Sequence, residues 1–123
     1  MIYETYCSYE VATLLKEKGF DIGCYGRYSI RSKEFHFDAT RKCENHGLFI
    51  IAAPTHQMAM KWLREVHNLQ IIIIPIRSRS TQHKNWTFEI YKNFKPLDID
   101  IFTFPTYEED CEAALKYVLE KLI

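Results

Sequence analysis

No apolar stretch among these 123 residues approaches the roughly 20 needed to cross a bilayer. The longest, residues 69–76, is interrupted by Gln70 and Pro75. The opening residues show no basic region followed by an apolar one, so no secretory leader is expected and a cytoplasmic location is, without a membrane partner. Glycine and proline number four each, too few for a flexible linker or a low-complexity tract. Four cysteines (Cys7, Cys24, Cys43 and Cys111) contain no CxxC pair and are too sparse for a disulfide scaffold, so reduced thiols are expected. Neither sign of charge is in excess: sixteen Lys and Arg balance sixteen Asp and Glu, which removes any overall field toward nucleic acid or a membrane surface. A phosphate-binding glycine loop, a serine elbow and an HExxH helix are all missing. No catalytic residue and no cofactor is therefore assigned from motifs.

Against those absences stand an apolar fraction of 47% and eight Tyr with eight Phe, enough for one core in a single domain spanning residues 1–123. Charge is also unevenly placed. Residues 77–97 carry Arg77, Arg79, Lys84, Lys92 and Lys95 against Glu89 alone, whereas seven acids face Lys116 and Lys121 in residues 98–123.

Periodicity predicts three helices. Residues 8–18 open on Ser8, a capping residue, carry Val11, Leu14, Leu15 and Lys18 at helical spacing, and stop at Gly19. A second helix follows Pro54 and the cap Thr55, with Ala59, Trp62, Leu63 and Val66 as its apolar stripe, Met58 at the edge and Asn68 as a left-handed stop. The third opens on the Thr106–Glu109 capping box and runs Cys111, Ala114, Leu115, Val118, Leu119 and Leu122 along one face. Between them, residues 25–30 and 33–37 read as strands joined tightly through Arg31 and Ser32, and residues 48–52 as a further short strand. Residues 71–74 are four isoleucines closed by Pro75, which marks an edge, a bulge or an end. Residues 86–92 alternate, and residues 99–104 are expected to add another strand. The expectation is an α+β fold, a mostly antiparallel sheet of four to six strands with three helices in the order α-ββ-α-ββ-α.

Four sets of residues carry chemistry worth placing in space. Cys24, His36, Cys43 and His46 are the residue types of a zinc site, although only Cys43 and His46 are close in sequence; without paired ligands no metal is assigned. Cys7, just ahead of the first helix, and His56, opening the second, are candidates for a thiol–imidazole pair. Asp98 and Asp100 share a strand face if residues 99–104 are extended, as a divalent cation would require. The loop of residues 77–84, with Arg77, Arg79 and Lys84 beside Trp86, is the nucleic-acid candidate, combining phosphate neutralisation with base stacking.

The block Ala53-Pro-Thr-His-Gln-Met-Ala-Met-Lys-Trp-Leu-Arg-Glu-Val-His-Asn68 resembles a signature of a family of short proteins from gut Bacteroidales and their bacteriophages and mobile elements. The stretch from Cys7 to Asp21 and the closing Tyr107-Glu-Glu, Ala113–Tyr117 and Leu119–Leu122 are similar to the same family. The resemblance implies a small cytoplasmic accessory protein, phage-related, and carries no activity or catalytic residue with it. Within the matching block, His56, Gln57, Lys61, Arg64 and His67 form a polar set that points to binding. The expectation from sequence is thus a non-enzymatic interaction module that self-associates or binds a protein partner. Nucleic-acid binding through residues 77–84 is the alternative, and a small cysteine- or metal-dependent enzyme ranks third.

Overall fold

The structure, a computed structural model, describes residues 2–77 and 84–123. Helix α1 is Tyr9–Glu17. The Ser8 hydroxyl accepts from the Val11 N–H at 3.2 Å, filling one of the free donors of the first turn. At the other end Gly19 takes φ +91°, so that its N–H reaches the Lys16 carbonyl and the Phe20 N–H reaches that of Leu15. This paired closure folds Phe20 back into the core, edge-on to Trp62.

Strands β1 (Gly26–Ser29), β2 (Phe35–Phe37) and β3 (Ile50–Ala53) form an antiparallel sheet in the order β2-β1-β3. The β1–β2 connection is wider than the Arg31-Ser32 turn expected from sequence. That pair has no residue suited to positive φ, and the chain instead places Lys33 at φ 58° with its N–H on the Ser29 carbonyl. Gly26 is where the N-terminal segment crosses this sheet: a Cβ there would lie 2.8 Å from the Ala53 carbonyl oxygen and from the rings of Phe35 and Tyr6.

Helix α2, His56–His67, is capped by the Thr55 hydroxyl and ends on Asn68 at φ 54°. Its buried face is His56, Ala59, Met60, Trp62 and Leu63. Val66, placed in the apolar stripe by its sequence spacing, is 60% exposed, because the row His56, Ala59, Met60, Leu63 fits the same 3,4 spacing and turns Val66 outward. Strands β4 (Leu69–Arg77), β5 (Lys84–Lys92) and β6 (Lys95–Pro96) make a second antiparallel sheet in that order. Asn93 and Phe94, both at positive φ, turn β5 tightly into β6. The strand expected at residues 99–104 does not form a ladder. Only Phe104 pairs, exchanging both main-chain hydrogen bonds with Trp86 at 2.8 Å, and Asp98 and Asp100 are left exposed.

Helix α3, Tyr107–Lys121, buries Cys111, Ala114, Leu115, Val118 and Leu119 under a Thr106 cap. One apolar cluster joins Val11 and Leu15 of α1, Leu63 of α2, Phe88 and Ile90 of β5 and that stripe of α3. Among the described residues the architecture is α+β with three helices and six antiparallel strands, divided into two three-stranded sheets. On the core side of the second sheet Ile71 and Ile73 stand beside Ile90 and Phe88. Its far side is mixed, with Ile72, Ile74 and Ile76 opposite Glu89, Thr87 and Asn85. No helix among the described residues is long and apolar enough to cross a membrane.

Candidate functional site

Three chain segments converge at the start of the helices. The Cys7 N–H donates to the Pro54 carbonyl at 2.8 Å and the His56 N–H to the Thr5 carbonyl at 2.9 Å, so the N-terminal segment runs antiparallel to the lead-in of α2. The Tyr28 hydroxyl, from β1, donates to the Cys7 carbonyl at 2.8 Å. Cys7 therefore precedes α1, and His56 is the first residue of α2; both side chains are turned inward. Glu112, near the middle of α3, reaches them from the third side.

The Glu112 carboxylate hydrogen-bonds His56 Nε2 through one oxygen and accepts from the Ser8 N–H through the other at 3.1 Å. Ser8 caps α1, so the carboxylate also faces the positive end of that helix. Burial alone would push Glu112 up. The hydrogen bonds from His56 and Ser8 outweigh it and hold the carboxyl below its ordinary value. Cys7 behaves oppositely: its burial, and then the charge of Glu112, drive the thiol well above its usual range. Cys7 Sγ, a His56 ring nitrogen and a Glu112 oxygen all lie within 4.8 Å of one another. Cys7 is 0% and His56 4% exposed, whereas the Glu112 side chain retains some access. A hollow of about 160 Å³, lined by Tyr3, Glu4, Thr5, Gln57 and Tyr107, adjoins His56. A groove of about 580 Å³, lined by Ser8, Glu10, Phe104, Glu109 and Lys116, adjoins Glu112.

The sequence-derived pair Cys7 and His56 is thus brought together, with Glu112 as a third member that sequence reasoning missed. Glu112 sits one residue beyond Cys111 on α3, and no local motif singles it out. As a nucleophile the thiol is poorly placed, since it is enclosed and held protonated. Neither property prevents metal ligation, because a bound cation deprotonates a coordinating thiol outright.

The other candidates are dispersed or altered. Cys24 and Cys43 face each other, but His36 lies exposed on β2 opposite Arg27 and His46 is exposed beside Glu44. The four do not close into a metal cluster; among the described residues only Cys7, His56 and Glu112 do. Asp98 and Asp100 face solvent in a segment without ladder pairing. In the nucleic-acid candidate, Arg77 is exposed at the end of β4, Lys84 begins β5, and Arg79 lies outside the described residues. Trp86 is half-buried and edge-on to Tyr107 at 5.3 Å, so its ring is not an open stacking platform. The polar set on α2 is split. Gln57, Lys61 and Arg64 are exposed, but His56 is in the site just described and His67 packs edge-on to Trp62. The helix period places residues 56 and 67 on the core face, which overrides their polarity.

A further cleft, of about 530 Å³, lies against the first sheet and gathers Arg27, Arg41, Lys42 and Cys43 with Asp38, Glu44 and His46. Its cations come from β1 and from the segment after β2, not from the basic stretch singled out at residues 77–84. Compared with protein-family models, with curated proteins and with solved structures, the chain matches none.

Proposed function

We propose that this chain is a metal-binding protein in which Cys7, His56 and Glu112 hold a divalent transition metal of zinc's character. The observation that carries the reading is the convergence of three donor atoms, one each of sulfur, nitrogen and oxygen, from three separate segments within 4.8 Å. Around a tetrahedral zinc such donors stand about 3.5 Å apart, so an ion would replace the direct His56–Glu112 hydrogen bond, which must open, and draw the more distant donor in by up to about 1 Å. Three protein ligands leave one position for water or substrate, the arrangement that supports hydrolytic chemistry. The softness of thiolate and imidazole favours zinc over magnesium or calcium.

Cobalt(II) titration of the purified chain tests this. One equivalent should bind with a thiolate-to-metal absorption band, lost in Cys7→Ser, and zinc should displace it. Affinity should rise with pH, since Cys7 gives up its proton on binding. A zinc excess of about 100-fold over Kd should add roughly 2.7 kcal/mol to stability. Absence of both the band and any zinc-dependent rise in melting temperature would leave the triad as a structural tie and end the proposal.

Self-association remains a second reading, supported by the edge of the second sheet. The main-chain groups of Trp86 and Ile90 point toward Phe104 and Leu97. Their antiparallel partners Pro75 and Ile71 therefore point theirs away from β5, toward the outer side of β4. β4 is terminal in its sheet, nine residues long, and presents exposed Ile72 beside it. A second copy pairing along Ile71 and Ile73 would extend the sheet, with Pro75 limiting its length. Sedimentation at rising concentration should show a dimer; a strict monomer at high concentration would end this reading.

A further inference from the structure

Cys24 and Cys43 lie directly opposite each other across an isolated antiparallel bridge, each donating its N–H to the other's carbonyl, at 2.9 and 2.7 Å. Directly opposed residues put their side chains on the same side of the pair, and a hydrogen-bonded antiparallel pair sets its Cα atoms about 5.5 Å apart. That value is at the centre of the range spanned by disulfides. In a hydrogen-bonded pair the Cβ atoms stand toward the wide end of the cross-strand range, so they must approach by about 1.5 Å to reach the spacing of about 3.8 Å that a disulfide needs. A lone bridge, with no ladder on either side to hold its spacing, can yield that much. The two thiols now donate elsewhere, Cys24 to the Ile22 carbonyl and Cys43 to that of Glu44, so bonding needs a side-chain rotation at each.

Access is asymmetric. Cys24 is buried, whereas Cys43 is half-buried and forms part of the wall of the cleft on the first sheet, beside Arg27, Arg41 and Lys42 with Asp38 and Glu44 on the same lining. An anionic thiol reagent entering that cleft meets Cys43 first, and the three cations Arg27, Arg41 and Lys42, against the two carboxylates of Asp38 and Glu44, leave a small positive excess to pair its carboxylates.

We infer that Cys24 and Cys43 are a reversible thiol–disulfide pair, with Cys43 the entry thiol for a small anionic disulfide such as oxidised glutathione and Cys24 the resolving thiol. In the first step Cys43 thiolate attacks one glutathione sulfur, the glutathione S–S bond breaks, and one glutathione leaves as thiolate. In the second, Cys24 thiolate attacks Cys43 Sγ, the mixed disulfide breaks and the second glutathione leaves. The protein loses two electrons and two protons, and one oxidised glutathione becomes two reduced ones. The bond would close a ring from residue 24 to residue 43 and strap the polar loop onto the first sheet, fixing one wall of the cleft. Burial pushes Cys24 up to about 11; burial also raises Cys43, offset in part by Arg27 and Arg41. Such thiols react slowly at neutral pH and faster in mild alkali. They are also poor leaving groups, so the bond once made resists reduction. This pair is independent of the Cys7 site, and its test does not involve metal.

Native protein, metal-free, is incubated with oxidised glutathione in mild alkali, quenched in acid, alkylated under denaturing conditions and mapped by mass spectrometry. Wild type should lose two of its four thiols and give one cross-linked peptide joining Cys24 to Cys43, with Cys7 and Cys111 still alkylated. Cys24→Ser should stop at a glutathione adduct on Cys43, and Cys43→Ser should give neither product. Trypsin cleavage after Arg41 and Lys42 should slow severalfold in the oxidised wild type and recover on reduction. The inference is overturned if native wild type keeps all four thiols, stops at the Cys43 adduct, or bridges through Cys7 or Cys111.

Discussion

Asp110 stands in the first turn of α3 with 0% exposure and no partner on either carboxylate oxygen. Burial pushes its carboxyl up to about 6, from an ordinary value near 3.8. A folded-state value above the unfolded one means that the native protein holds the proton more tightly. Asp110 therefore contributes stability in acid, and that contribution falls away as pH rises from about 4 through about 6. Two pH units correspond to something on the order of 2–3 kcal/mol. Asp110→Asn should raise the melting temperature at pH 7.5 and flatten the wild-type decline between pH 4 and 6, read by thermal denaturation across that range. Glu112 has the opposite sign. Its lowered value means that its stabilisation is full above the ordinary carboxylate range and is lost as pH falls through the folded value. Glu112→Gln should cost about 1.5–3 kcal/mol at pH 7, since the bonds to His56 and Ser8 lose their charged acceptor, and the deficit should shrink below pH 4. Equal stability of the two proteins at pH 7 in chemical denaturation would show the carboxylate to be idle in the fold.

At the scale of elements, the three helices and the crossing of the N-terminal segment over the first sheet hold the site. Gly26 is the contact point: with a Cβ it would press on the Ala53 carbonyl and the Phe35 and Tyr6 rings at 2.8 Å. Main chain cannot move aside cheaply, so Gly26→Ala should destabilise by about 1–3 kcal/mol. Because Tyr6 precedes Cys7, the same variant should weaken cobalt binding without removing a ligand. Gly19 tests a different property, since open space surrounds it and only its φ of +91° excludes a side chain. Gly19→Ala should cost about 1 kcal/mol through backbone strain alone, measurable as a shift in denaturant midpoint with unchanged slope.

For the whole molecule, the core stripe of α3 touches both other helices and the second sheet, so its residues report on global stability. Leu115 and Leu119 are fully enclosed, and Leu119→Ala should cost about 2–5 kcal/mol and lower the melting temperature as one cooperative transition. A biphasic melt in that variant would mean that the first sheet, with its exposed Phe37 and the exposed Leu48 and Phe49 just ahead of β3, unfolds apart from the rest. That sheet is joined to the core chiefly through the N-terminal segment, α1 and β3. It is the part where few large side chains are enclosed.

What the chain alone determined is local. Caps at Ser8, Thr55 and Thr106, stops at Gly19 and Asn68, and the apolar row of α3 are each set by residues within a few positions of one another, and all appear in the fold. The α+β class followed from those periods. Where two rows on one helix fitted the period equally, as with Val66 against Met60, only packing against the second sheet and α3 chose between them. The extended look of residues 99–104 also failed, because alternation states a preference while a strand needs a neighbour along its length. Cys7 and His56 were candidates from their places at two helix starts, but that they meet, that Glu112 joins them, and that Cys24 stands opposite Cys43 were decided by tertiary structure. The members of each group come from separate segments, and chain reversals at the sheets and helix starts, not spacing, bring the side chains within reach.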